Sequence, residues 1–141
     1  MNVVSVMTPN PACCTAQTPL RDVARMMLDN DCGQIPVVDD AQRPIGVVTD
    51  RDIAVRVVAE GRDTNGATAA DAMSAPARTV STDTSLKDCV CLMEADQIRR
   101  VPVVDASGKL TGIVSIADLA LAGKDEATAE VVREVSEPTR H

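Results

Sequence analysis

Two stretches of the chain share one pattern: a glycine, two apolar residues, a hydroxyl residue, two variable positions and an aspartate. The first is Gly46-Val47-Val48-Thr49-Asp50-Arg51-Asp52 and the second is Gly112-Ile113-Val114-Ser115-Ile116-Ala117-Asp118. A hydroxyl and a carboxylate three residues apart, where an apolar strand gives way to a helix, can face one cleft. A carboxylate has two acceptor oxygens and can take hydrogen bonds from both hydroxyls of a ribose. The free backbone N–H groups of such a junction suit an anion. The pattern therefore points to a sugar-and-phosphate corner. The same residue types also serve as helix caps, and a duplication would copy a cap as readily as a ligand contact. Arg51, Arg99 and Arg100 supply guanidinium groups, whose forked donors match phosphate oxygens. No Ser–His pair and no metal-ligand spacing accompanies them, and His141 is the sole histidine, so no residue is assigned a catalytic or metal-binding role.

The elements that must position these residues also come in duplicate. Shifted by 66 residues the chain overlays itself: Met7 on Met73, Thr18 on Thr84, Leu20 on Leu86, Asp22 on Asp88 and Met27 on Met93. The run Pro36-Val37-Val38-Asp39 falls on Pro102-Val103-Val104-Asp105. In each copy a helix is expected first. Thr18 reads as its N-cap and Pro19 as its first turn in copy one, with Leu20, Val23, Ala24, Met27 and Leu28 on one apolar face. Leu86, Cys89, Val90 and Met93 repeat that face. Two apolar strands follow, Ile35 to Val38 and Ile45 to Val48, repeated as Val101 to Val104 and Leu110 to Val114. A second helix runs through Ile53, Ala54, Val57 and Val58 to a stop at Gly61. A last helix is expected from Glu126 to Val135. The fold class is α/β, two β-α-β-β-α repeats related by a pseudo-twofold axis, with small sheets packed against helices. The expected division is repeat one at 1–61, a linker at 62–66, repeat two at 67–123, and a C-terminal helix and tail at 124–141. One copy alone is small for a closed core, so one integrated fold is expected.

Composition narrows the function classes. The 141 residues carry a net charge of -7, which disfavours a nucleic-acid binder. Phe, Tyr and Trp are absent, so a flat ligand must be held by aliphatic walls and backbone groups. No apolar run is long enough to span a bilayer, and the start of the chain does not read as a signal peptide, so a cytoplasmic protein is expected. The five cysteines then read as reduced thiols. Cys89 lies on the apolar helical face and is expected to be inert. Cys32, near the strand entry, is the candidate for a redox-modulated site.

The Met-Thr/Ser start, the helix, the apolar-Pro-Val-Val-Asp strand and the Gly-apolar-apolar-Thr/Ser-x-x-Asp motif, twice and in order from about Val4 to Leu121, resemble the cystathionine-β-synthase-type (CBS) domain. This resemblance implies a tandem pair that binds an adenosine-containing ligand, AMP, ADP or ATP foremost and NAD or S-adenosylmethionine as alternatives. It also implies a regulatory module with no enzymatic activity, forming a homodimer and acting on an effector protein. In the family each cleft mixes the two copies. Carried over, one cleft combines Thr49, Arg51 and Asp52 with Ser81, Ile98, Arg99, Arg100 and Val101. There Asp52 holds the ribose, Ile98 and Val101 sandwich the base, the backbone near Ser81 reads its edge, and the arginines meet phosphate. The other cleft combines Ser115 and Asp118 with Thr15, Cys32, Gly33, Gln34 and Ile35; lacking the arginines, it is expected to be weaker, empty or suited to an uncharged group. The alternatives are a ligand-free dimerisation module and a thiol-modulated sensor.

Overall fold

The computed structural model describes residues 1–122, so the expected helix at Glu126 to Val135 and the tail lie outside the described residues. The elements run in chain order. A short 3-10 turn (Val3–Ser5) precedes β1 (Thr8–Pro9), α1 (Leu20–Asn30), β2 (Gln34–Val38), β3 (Pro44–Thr49) and α2 (Asp50–Ile53), which continues into a π-helical stretch at Ala54–Val58. Then come α3 (Ala69–Ala72), β4 (Val80–Ser81), α4 (Leu86–Asp96), β5 (Arg100–Val104), β6 (Leu110–Ser115) and α5 (Ile116–Ala122).

The chain divides into two compact units. One is contiguous, Ala12–Arg78, and holds the hairpin of β2 with β3. The other is composite: it joins Met1–Pro11 to the chain from Thr79 onward and carries a four-stranded sheet in the order β1-β6-β5-β4. The units are therefore offset from the repeats. The segment that precedes each repeat in sequence packs with the other repeat.

That exchange completes the buried cluster of each unit. In the contiguous unit Leu20, Val23 and Met27 of α1 meet Ile35, Val37, Val48 and Val57, and the borrowed Ala67, Ala69 and Ala72 complete the cluster. In the composite unit Cys89, Val90 and Met93 of α4 meet Val101, Val103, Val114 and Leu119, and the borrowed Val3 completes it. Each fully buried aliphatic side chain contributes about 1.5–3 kcal/mol. A borrowed residue is thus a substantial part of a small core.

Local chemistry matches in the two units. Both helices end on a left-handed residue that is not glycine, Asp31 (φ 49°) and Gln97 (φ 51°). The next N–H, from Cys32 or Ile98, donates back to the Met27 or Met93 carbonyl. Both hairpins are antiparallel and slip register at one place, between Val37 and Val38 and between Val103 and Val104. Both turns hang on an aspartate. Asp39 Oδ1 accepts the Ala41 and Arg43 N–H groups at 2.9 Å each. Asp105 Oδ1 accepts the Ser107 N–H, the Ser107 hydroxyl and the Lys109 N–H at 2.9, 2.6 and 3.0 Å. Gly61, at φ 70°, ends the second helix where a stop is expected.

Two expectations need correction. Thr18 does not cap α1; the cap position is Pro19 and carries no side-chain bond. The Thr18 hydroxyl instead accepts the Thr15 N–H at 3.0 Å, tightening the turn before the helix. Ala24 and Leu28 are both exposed, Leu28 at 69%, because each sits one helical step off the stripe of Leu20, Val23 and Met27.

Candidate functional site

The repeated motif forms the same hydrogen-bonded box twice. The Thr49 hydroxyl accepts the Asp52 N–H at 3.0 Å, and Asp52 Oδ2 accepts the Thr49 N–H at 3.0 Å. Ser115 and Asp118 repeat this at 3.1 and 3.0 Å. The capping reading of these residues is therefore present in both units. It uses one oxygen of each carboxylate. The other oxygen, Oδ1, lies outside the box and is the one through which a sugar hydroxyl could be held.

What surrounds that second oxygen involves a residue the sequence reading did not single out. Ser74 exchanges two backbone bonds with Val47, its carbonyl accepting the Val47 N–H at 3.0 Å and its N–H donating to the Val47 carbonyl at 2.8 Å. Its hydroxyl reaches Asp52 Oδ1 at 3.5 Å. The guanidinium of Arg56, on the π-helical stretch, fixes the chain just before it by donating to the Ala72 and Met73 carbonyls at 3.0 and 2.8 Å. The closeness of this segment also explains the motif glycine: a Cβ at Gly46 would stand 2.8 Å from the Ser74 carbonyl oxygen and 3.1 Å from Met73 Sδ. At Gly112 a Cβ would collide with the Met7 side chain and stand 3.1 Å from the Thr8 carbonyl. The signal available in the sequence was the Met-Thr/Ser step itself, repeated 66 residues apart as Met7-Thr8 and Met73-Ser74.

The remaining site residues fall into place within their own units. Thr15 and Thr18 bring their hydroxyls to 3.2 Å, as do Ser81 and Thr84. The Ser81 N–H donates to Thr84 Oγ1 and its carbonyl accepts the Thr84 N–H, at 3.0 Å each. Strand register sets Gln34 opposite Thr49 and Arg100 opposite Ser115. The Gly33 carbonyl accepts the Asp50 N–H at 3.0 Å, and the Arg99 carbonyl accepts the Ile116 N–H at 2.9 Å. Residues 33–34 and 99–100 are thus tied to the hydroxyl–carboxylate box of their own unit. Ile35 and Val101 are fully buried in their cores, Ile98 is half-buried, and Arg51 is exposed.

The thiols separate by burial. Burial pushes the Cys14 and Cys89 thiols up to about 11, with the neighbouring Cys13 adding to the shift at Cys14. Both are protonated and unreactive at neutral pH, as expected for Cys89. Cys32 is half-buried with its Sγ 3.6 Å from the Gln34 carbonyl, and Cys91 is exposed. Among the described residues no three His, Cys, Asp or Glu side chains gather to hold a metal, and no helix is long and apolar enough to cross a membrane.

Comparison with known proteins sets this geometry in context. A family model for the CBS domain matches residues 3–59 and again 69–125. Hypoxic response protein 1 of Mycobacterium tuberculosis is 32% identical over 133 residues, covering 94% of this chain and 92% of that protein. An uncharacterised protein of Methanopyrus kandleri is 38% identical over 98 residues, and the match spans half of its length. Among solved structures, that of Hypoxic Response Protein I with two coordinated zinc ions superposes with a TM-score of 0.79 at 33% identity, covering 86% of this chain and 98% of that one. The structure of CBSX2 in complex with AMP superposes with a TM-score of 0.76 at 27% identity, covering 86% and 95%.

Proposed function

Because this chain belongs to the CBS domain family as a tandem pair, we propose that it is a regulatory module that binds an adenosine-containing ligand and passes the occupied state to a partner protein. The observation that carries this reading is the twice-formed hydroxyl–carboxylate box with a carboxylate oxygen left outside it, in a family where CBSX2 is seen with AMP. Asp52 and Asp118 hold ribose hydroxyls, with Thr49 and Ser115 beside them. Arg99 and Arg100 meet phosphate, where their forked donors suit its oxygens. Ile98 offers an apolar wall to the base. AMP, ADP and ATP are the ligands that such a set fits best, with NAD and S-adenosylmethionine next. A ligand signals only through its preference for one state of the protein over another, so the output is a change of conformation or of partner affinity. The inventory offers no nucleophile–base pair, and we assign no catalysis.

The protein lacks Phe, Tyr and Trp, so absorbance near 260 nm reports a bound base directly once nucleic acid is excluded. Calorimetric titration with AMP, ADP, ATP, NAD and S-adenosylmethionine then names the ligand. Asp52→Asn and Asp118→Asn retain a side-chain oxygen and a near-identical shape while removing the charge. Each is expected to weaken binding at its own box by about tenfold or more, the scale of a lost charge-assisted hydrogen bond. A double-mutant cycle of Arg100→Ala with each of the two shows which carboxylate shares a ligand with the arginine. Unchanged affinity in both Asn variants would remove the ribose assignment, and the absence of any adenosine binding would leave the dimerisation-module reading in its place.

A further inference from the structure

The Thr49–Asp52 box has a second hydroxyl fixed beside it. Asp52 is pinned through Oδ2, which accepts the Thr49 N–H at 3.0 Å, so Oδ1 is the oxygen left for other partners. The Ser74 hydroxyl stands 3.5 Å from Oδ1. That separation exceeds the roughly 2.5–3.0 Å of an ordinary O–H···O bond, so the two groups are within reach but not drawn together. Closing the gap through the backbone would cost other bonds. The Ser74 N–H and carbonyl are both committed to Val47, at 2.8 and 3.0 Å, and the Arg56 guanidinium holds the Ala72 and Met73 carbonyls just before it. Asp52 and Ser74 are both half-buried, so neither is sealed from solvent.

A polar gap of this width is ordinarily bridged by a third group. An oxygen about 2.8 Å from both would complete a triangle. A hydroxyl suits the place because it works in both directions: it donates its proton to the carboxylate and accepts the proton of the serine. A phosphate oxygen only accepts, and it would meet the charge of Asp52. The composite unit has the same frame with a different outcome. Thr8 pairs with Ile113 as Ser74 pairs with Val47. Thr8 is exposed, however, and among the described residues no hydrogen bond joins its side chain to Asp118.

Resting on the adenosine-binding reading above, we propose that Ser74 is a further ligand-contacting and specificity-determining residue of the Thr49–Asp52 site. One ribose hydroxyl sits between Ser74 Oγ and Asp52 Oδ1, accepting from the first and donating to the second. The site thereby reads the presence of that hydroxyl, and a sugar lacking it leaves the serine and the carboxylate without their bridge. The Asp118 site holds its sugar without such a partner and discriminates less against a deoxy sugar.

The test uses the full chain carrying Asp118→Asn, which weakens the other box, and titrates AMP and ATP with their 2′-deoxy and 3′-deoxy forms. One of the two deoxy forms is expected to bind about tenfold or more weakly than the parent nucleotide, the scale of a lost charge-assisted hydrogen bond. Ser74→Ala is expected to weaken the parent nucleotide about three- to tenfold and to leave that deoxy form nearly unchanged, so that the two converge. Ser74→Thr keeps the hydroxyl and is expected to keep the preference. A merely structural role for Ser74 would lower all the ligands alike. Ser74→Cys, of similar shape and with a weak donor, decides the matter should the alanine variant fail to fold, and the same convergence is expected of it. Equal losses across the three sugars, or unchanged affinity in Ser74→Ala, overturns the proposal. Loss of all binding on Asp118→Asn alone overturns it and leaves the adenosine reading standing at the other box. Binding of neither nucleotide to the unmodified protein overturns the nucleotide reading as well.

Discussion

The contiguous and the composite unit use the same hydrogen bonds to build the same frame and then place different groups on it. Thr15 with Thr18 and Ser81 with Thr84 hold their hydroxyls at 3.2 Å in both. The two boxes agree to about a tenth of an ångström, and both hairpins slip register at the same step. Against this sameness stand Gln34 and Arg100, Asp50 and Ile116, Arg56 and Ala122, and Ser74 and Thr8. Positions that bond identically in both units do structural work, whatever else they do. Positions that differ on an otherwise matched frame are where each unit has chemistry of its own. By that criterion Thr49, Asp52, Ser115 and Asp118 have an established role as caps, and the choice of ligand rests on the residues beside them.

The sharpest way to break the comparison is at the two motif glycines. At Gly46 the obstacle is the Ser74 backbone oxygen, which cannot move without losing the two Val47 bonds that hold the segment. At Gly112 the nearest atoms belong to the flexible Met7 side chain. Gly46→Ala is expected to destabilise by about 1–3 kcal/mol, the usual scale of overpacking, and Gly112→Ala by less. Urea denaturation of the two variants measures this. An equal or larger loss at Gly112 would show that the exchanged segments are not held as the geometry indicates.

Those exchanged segments are also where the sequence was least informative. The repeat, its spacing, the paired strands and most of the helical faces were legible because periodicity and self-similarity act over a whole copy. The site frame was legible too, since Thr49, Asp52, Ser115 and Asp118 are marked by type and by repetition. Met7 and Met73 were visible as landmarks, but nothing local says that each packs on the glycine of the other copy. Their strands are two residues or a single bridge long, too short to carry a period, and their partners are distant in sequence. The role of Ser74 was hidden for the same reason. Thr18 was misread because a hydroxyl before a helix can bond forward to the helix or back to a turn, and only the tertiary setting decides.

A smaller effect sharpens the comparison at the helix ends. Asp31 and Gln97 sit in the left-handed region that glycine adopts without strain. Asp31→Gly is expected to stabilise by about 0.5–1 kcal/mol, after the entropy that glycine adds to the unfolded chain is offset. Asp31 also places a carboxylate at the negative end of its helix, so its replacement should gain slightly more at low salt than at high salt. Thermal melts at two ionic strengths test both parts. A loss in this variant would mean that the Asp31 side chain has a bond outweighing the strain.

The mildest difference lies in the hairpin turns, and it offers a reciprocal exchange. Both turn aspartates are held below the usual carboxylate range. For Asp105 the leading cause is the Ser107 hydroxyl, followed by the Lys109 N–H. For Asp39 it is the Arg43 N–H, because Ala41 stands where Ser107 stands in the other turn. A carboxylate whose pKa is lowered by folding contributes stability that is fully present above its unfolded value, near 4, and is lost as pH falls through the folded value. Both turns therefore loosen on the acid side only. Ser107→Ala should move the Asp105 titration up toward the ordinary range, and Ala41→Ser should move that of Asp39 down, each read by carboxyl carbon NMR shifts across the acid range. The stability of Ser107→Ala should then fall below that of the parent at neutral pH and approach it as pH falls below the parent's folded value, where the bond is already lost. Movement of neither titration would assign the shifts to the backbone donors alone and make the two turns electrostatically equivalent.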